Sequence, residues 1–225
     1  MTRSRSLIPV RRRPPDEGAL VPAVQPDGRA RAVERFAGAI VEFVARIPKS
    51  RHRRHRRPAQ AARSIANAAA AKAAMAAGSL ALPPGPLGWL TILPEMMAVW
   101  RIQAQMVADI AAVYGKSAQL TREQMLYSLF RHTAAQAVRD MVVRVGERIL
   151  VRQMPQRVLN GAAGKIAQKL VERVVGNSVS RWLPVAGAIG VGAYAYFDTG
   201  QVAATAIELF EREIDLDPAR VVEAE

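Results

Sequence analysis

Cysteine is absent from the 225 residues, histidine occurs three times, and aromatic residues make up only 5% of the chain. Without cysteine there is no disulfide framework, no thiolate nucleophile, no iron–sulfur cluster and no zinc site built on sulfur. Three histidines leave little for a histidine-rich metal centre, so neither a metal nor a cofactor is expected. Acidic residues are outnumbered, 19 against 32 Lys and Arg, for a net charge of +13. That excess points to an anionic partner. A long regular apolar run is also missing. Ala73 to Pro94 carries no charge over 22 residues but is interrupted by Pro83, Pro84 and Pro86 and closed by Pro94, and Trp182 to Phe197 spans only 16. A spanning helix needs about 20 regular apolar residues. Two readings of these runs stay open: seating at a membrane surface, shielded by protein, or burial as the core of a soluble bundle.

What is present is enough for a folded domain, with 50% apolar and 23% charged residues. The charge is uneven. Residues 1–58 carry a net +10 and residues 131–181 a net +7, whereas residues 208–225 carry a net −5. Residues 1–28 hold five prolines and the run Arg11-Arg12-Arg13, which predicts a disordered basic tail. A helix is predicted over 29–47, where Val33, Phe36, Ile40, Phe43, Val44 and Ile47 recur at three- and four-residue steps. It would dock on the rest of the chain or on a membrane. The run Lys49 to Arg57 holds six Lys and Arg plus His52 and His55. Its mutual repulsion predicts an extended linker, so that 29–58 reads as an amphipathic helix followed by an Arg/His-rich connection.

The domain proper is expected over 59–214. Residues 59–78 are alanine-rich and helical by propensity, with Gly78 as C-cap. The proline-marked stretch 80–94 reads as a constrained apolar loop. A helix follows over 92–114, with Glu95 in its first turn and Gly115 as C-cap. Thr121 and Gln124 form a capping-box pattern, and the helical period continues through Ile149 and Leu150 with a break near Thr133. Asp140 and Arg144 would form an i,i+4 pair there. Pro155 restarts a helix, Asp198-Thr199-Gly200 reads as a turn, and a last helix covers 201–214 before an acidic tail at 215–225. No useful period-2 alternation appears, so the fold class is all-α, a multi-helix bundle.

No reaction is legible. Gly187-x-x-Gly190-x-Gly192 follows no strand, so it is not a phosphate-cradling loop. His52 and His55 sit among arginines that repel a metal cation, and His132 reads as a lone helix-surface residue. Glu95 and Asp198 read as a helix-dipole and a turn residue. The basic run suits anionic lipid headgroups through Arg51, Arg53, Arg54, Arg56 and Arg57. Nucleic acid is the less favoured partner, because no aromatic residue lies among the arginines to stack on bases.

Two segments carry a family likeness. Leu82-Pro83-Pro84-Gly85-Pro86-Leu87-Gly88, then Leu93-Pro94-Glu95, then Ala112-Val113-Tyr114-Gly115, resembles the EcsC family. Leu183-Pro184-Val185-Ala186-Gly187-Ala188-Ile189-Gly190, with Phe197-Asp198, Gly200, Ala203 and Phe210, is similar to that family's closing segment and to the glycine-rich end of a domain appended to some membrane-associated bacterial GTPases. The resemblance covers about residues 60–212 and leaves the basic head outside. It implies a helical bacterial protein without an assigned reaction, and it carries over no catalytic residue. The resulting expectation is a non-enzymatic accessory protein, cytoplasmic and peripheral to or partly inserted in the inner membrane. Its partner would be an anionic membrane surface or a membrane protein. The expected contact residues are Trp89, Leu90, Leu93, Trp100, Trp182, Leu183, Tyr194, Tyr196 and Phe197.

Overall fold

The computed structural model describes residues 26–80, 88–145, 147–176 and 184–212. Seven α-helices account for most of them: α1 (Pro26–Ala45), α2 (Pro58–Leu80), α3 (Gly88–Val113), α4 (Arg122–Phe130), α5 (Ala135–Val138), α6 (Gln156–Gly176) and α7 (Pro184–Arg212). The fold is all-α with one small addition. Strands β1 (Val142–Val145) and β2 (Arg148–Val151) form an antiparallel hairpin in which Val142 faces Val151 and Val145 faces Arg148. The predicted helix over this stretch is therefore corrected. Val142, Val143, Val145, Ile149 and Val151 are β-branched, which suits a pleated surface better than a helix. Asp140 lies in a 3-10 turn and Arg144 on β1, so the expected helical pair between them does not exist.

The helices arrange as two packed groups sharing one core. α2, α3 and α7 pack on each other, α1 packs on α6, and α4 joins the groups through contacts to α1, α3 and α7. The predicted stripe of α1 is what docks it: Phe36, Ile40 and Val44 are buried in the main cluster with Ile166 and Leu170 of α6. Trp100 sits in the same cluster, edge-on to Phe130 with ring centroids 5.2 Å apart and 6.1 Å from Phe43.

The approach of α2 to α7 is set by small residues. Ala69, Ala70, Ala73 and Ala77 are the buried side of α2. A Cβ on Gly192 of α7 would stand 3.1 Å from the carbonyl oxygen of Ala74, so the two backbones come close where neither helix carries bulk. The helix runs on to Leu80, which places Gly78 inside α2 rather than at its end.

α3 starts at Gly88, earlier than predicted, so Pro94 lies in its second turn and Glu95 is not a first-turn residue. Its other end follows prediction. Gly115 adopts φ +78°, its N–H donates to Ala112 O at 2.9 Å and that of Lys116 to Ala111 O at 2.8 Å, a Schellman cap. The capping box at α4 is complete: Gln124 N–H donates to Thr121 Oγ1 at 3.2 Å and Thr121 N–H to Gln124 Oε1 at 2.9 Å. α7 is one helix of 29 residues and passes straight through Asp198-Thr199-Gly200. The expected turn is absent because both polar side chains find a partner in Gln103 of α3, and Asp198 a second in His132 just after α4.

Candidate functional site

Among the described residues, the outward face of α7 is the first feature that the fold leaves without a protein partner. Ala195, Thr199, Val202 and Ala206, spaced three and four apart, are buried against α2, α3 and α4. The opposite side therefore points away from the bundle. There Ile189 is 69% exposed, Phe197 64%, Tyr194 57% and Tyr196 49%. Met75 of α2, 68% exposed, joins them across a shallow groove lined by Ala74, Gly78, Ile189, Gly192, Ala193 and Tyr196. Among the described residues no charged side chain lines that groove. A surface of this kind is unusual on a helix that otherwise packs well.

Under this face lies a polar network. Asp198 Oδ2 accepts from Gln103 Nε2 at 2.8 Å, and Oδ1 lies 2.7 Å from His132 Nε2. Gln103, itself buried, also donates to Thr199 Oγ1 at 3.2 Å, and Thr133 Oγ1 lies 2.9 Å from His132 Nε2. Burial and the Asp198 carboxylate push the Tyr194 hydroxyl above its ordinary pKa, while Arg173 opposes them. Asp198 and His132 thus tie the inner side of α7 to α4 and α3. Neither lines the grooves along α2 and α7. Among the described residues no group of three or more His, Asp or Glu is placed to hold a metal ion.

The basic run lies elsewhere. Lys49 to Arg57 is neither helix nor strand, yet it is fastened along the last turns of α3. Gln105 Nε2 donates to Lys49 O at 3.3 Å, Ser50 Oγ donates to Asp109 Oδ1 at 2.6 Å, and His55 N–H donates to Val113 O at 3.0 Å. His55 Nδ1 then accepts from Arg57 N–H at 3.1 Å. The methylenes of Arg54 cover Gly115, where an added Cβ would meet Arg54 Cδ at 3.0 Å. The run is an ordered strap. Beyond it, a groove of about 440 Å³ between α2 and α7 is lined by charged residues including Arg63, Glu208, Glu211 and Arg212.

Of the expected contact residues, Tyr194, Tyr196 and Phe197 share the exposed part of α7. Trp100 is corrected: it is 5% exposed and belongs to the core, because its stripe on α3 faces inward along its described length. Trp89, Leu90 and Leu93 lie on the helical backbone of α3, with side chains outside the described residues, as are Trp182 and Leu183. Where their described parts meet, α3 and α7 do so through buried surface: Val99, Ile102 and Val191 pack round Ala73, Ala77 and Ala195. The exposed apolar face is built by α7 and α2 instead. Met75 was missed because alanine dominates its surroundings, and Ile189 because it reads as one residue of a uniformly apolar run. His132 is not a lone surface residue but the partner of Asp198.

Arg51, Arg53, Arg54, Arg56 and Arg57 are all exposed. They do not adjoin the apolar face. Arg57 directly precedes α2, whereas Met75 lies 17 residues further on, about 25 Å at 1.5 Å per residue. No family model, no curated protein and no solved structure matches this chain.

Proposed function

We propose that this protein is a non-enzymatic, membrane-associated accessory protein of the EcsC type. It seats the outward face of α7, with Met75, in the interfacial layer of a bilayer. The observation that carries the reading is the exposure of Ile189, Tyr196 and Met75 round one shallow apolar groove, with Phe197 also exposed on α7. Tyrosines beside purely apolar side chains suit the depth at which one end of a ring is wet and the other dry.

No helix among the described residues is long and apolar enough to cross a membrane, so seating is interfacial. Burying four or five partly exposed large side chains is worth about 5 kcal/mol, close to what a single acyl chain contributes. Binding is accordingly reversible. The proposed location is the cytoplasmic side of the inner membrane, on lipid or beside a membrane protein.

Flotation with neutral phosphatidylcholine vesicles and with vesicles containing anionic lipid tests the reading. The full chain floats with both. I189S/F197S weakens binding about 100-fold while the helical circular dichroism signal is kept, because both side chains face solvent. Absence of binding to either vesicle, or unchanged binding by the double variant, overturns it.

A further inference from the structure

The strap over Lys49–Arg57 is built to hold a row of cations in one conformation. Like charges this dense repel, and an unfastened segment would disperse them. Here the backbone is tied to α3 at Lys49 and His55, and the Ser50 hydroxyl adds a bond to Asp109. The side facing α3 follows a two-residue period. Ser50 bonds to Asp109, His52 Nε2 lies 4.0 Å from the same carboxyl group, and Arg54 packs over Gly115. Arg51 and Arg53 therefore face the other way, into solvent.

Among the described residues no carboxylate lies within 4.0 Å of Arg51, Arg53, Arg54, Arg56 or Arg57. The main chain that carries these guanidinium groups is already ordered, and among the described residues they are not neutralised, so a polyanion that binds them has no backbone to order. Arg51 and Arg53 stand about 6.6 Å apart along an extended backbone.

The partner is not the bilayer that takes the α7 face. That face begins about 25 Å along α2 from the strap. Surface charges beyond about 8 Å of each other are largely screened at physiological salt. The strap and the α7 face are therefore separate surfaces, and competition by anionic vesicles for the strap is an outcome of the test. With no Phe, Tyr or Trp in the strap, the large stacking platforms of single-strand binders are missing, so recognition is of the backbone and not of sequence.

We propose that the strap is a sequence-independent binding site for the phosphate backbone of double-stranded nucleic acid. Combined with the α7 face it would let the protein hold a duplex near a membrane. The strap site does not depend on the membrane reading: it is tested with a duplex, and anionic vesicles enter only as a competitor.

The experiment is fluorescence anisotropy of the full chain with a short DNA duplex of mixed sequence, across about 50 to 200 mM salt. Five phosphates neutralised give a slope of log affinity against log salt of about −4.5, a loss of about 500-fold over that range. R51S/R53S lowers the slope by about two, with an unchanged thermal melt, since neither side chain bonds to the fold. R12S/R13S removes the same charge from the N-terminal run and lowers it by less than half as much. A duplex of different sequence binds equally. The proposal is overturned by no binding at low salt, by affinity indifferent to salt, or by a slope that R51S/R53S leaves unchanged. It is also overturned by a head variant that weakens binding more than the strap variant, or by anionic vesicles displacing the duplex at equal phosphate.

Discussion

At one end of the α2–α7 pair, Met75, Ile189, Tyr196 and Phe197 hold uncharged side chains out to solvent. At the other, Arg63, Glu208, Glu211 and Arg212 line the groove between the same two helices, and the arginine strap crosses α3 close by. The two ends differ in what each helix can cover. An alanine-rich helix is thin, so its neighbour comes close and the neighbour's large side chains stand proud of the joint. Near Gly192 that is what happens, with Ala74 and Gly78 beneath and Ile189 and Tyr196 above. At the charged end, longer side chains tie α7 to other neighbours: Arg131, just after α4, reaches Glu208, and Tyr114, just after α3, reaches Glu211. Apolar exposure here follows from backbone proximity, not from poor packing.

The largest test of the comparison sets two aromatic residues against each other. Both were expected on one contact surface, but Trp100 is 5% exposed and Phe197 64%. W100A removes a ring packed against Phe43 and Phe130 and lowers unfolding free energy by about 3–5 kcal/mol. F197S changes it by no more than about 0.5 kcal/mol and acts on vesicle binding instead. Urea unfolding of both variants decides it. Equal costs would mean that the α7 face is part of the core.

That contrast also shows what the sequence could reveal. Helix α2 follows from alanine propensity, and α1, α4 and α6 from apolar spacing and the residues at their ends, because those signals are local. The period of Met97, Trp100, Ala104 and Val107 marks a buried side on α3. Read together with the apolar stretch before it, the same residues suggested an outer surface, and periodicity does not say which side of a helix a neighbour occupies. The hairpin was hidden because each strand has only four residues. Asp198-Thr199-Gly200 carries turn chemistry, overridden by bonds to Gln103 and His132, which lie 95 and 66 residues away from Asp198. The order of the strap likewise depends on partners 56 to 59 residues distant, Gln105 and Asp109, which no local pattern announces.

The close joint can be opened directly. G192V places branched methyl groups against the Ala74 carbonyl, 3.1 Å from the position of Cβ, and costs about 1–3 kcal/mol. G192A is nearly neutral, because the shift of a few tenths of an ångström is offset by the gain of about 1 kcal/mol in helix propensity. Thermal melts read the difference, at about 2–4 °C per kcal/mol for a chain of this size. If valine is tolerated as well as alanine, α2 and α7 do not meet here as closely as the thin-helix explanation requires.

The smallest effect belongs to the charged end and depends on pH. The Tyr114 hydroxyl donates to Glu211 Oε1 at 2.7 Å. Burial first, and the Glu211 carboxylate second, raise its pKa above the ordinary 10.0, with Arg63 opposing. The folded chain therefore keeps a proton that the unfolded chain gives up. The contribution of Tyr114 is full below pH 10 and is lost as pH rises toward the folded value. Partial access to solvent keeps it modest. Y114F has neither the hydroxyl nor its proton, so it melts slightly below the parent at about pH 8, and the gap narrows by about pH 11. For F197S any gap stays constant over the same range, since no titrating group is lost. A Y114F gap that also stays constant would show that the two ends are held by the same kind of contact, and the contrast between them would then be one of surface alone.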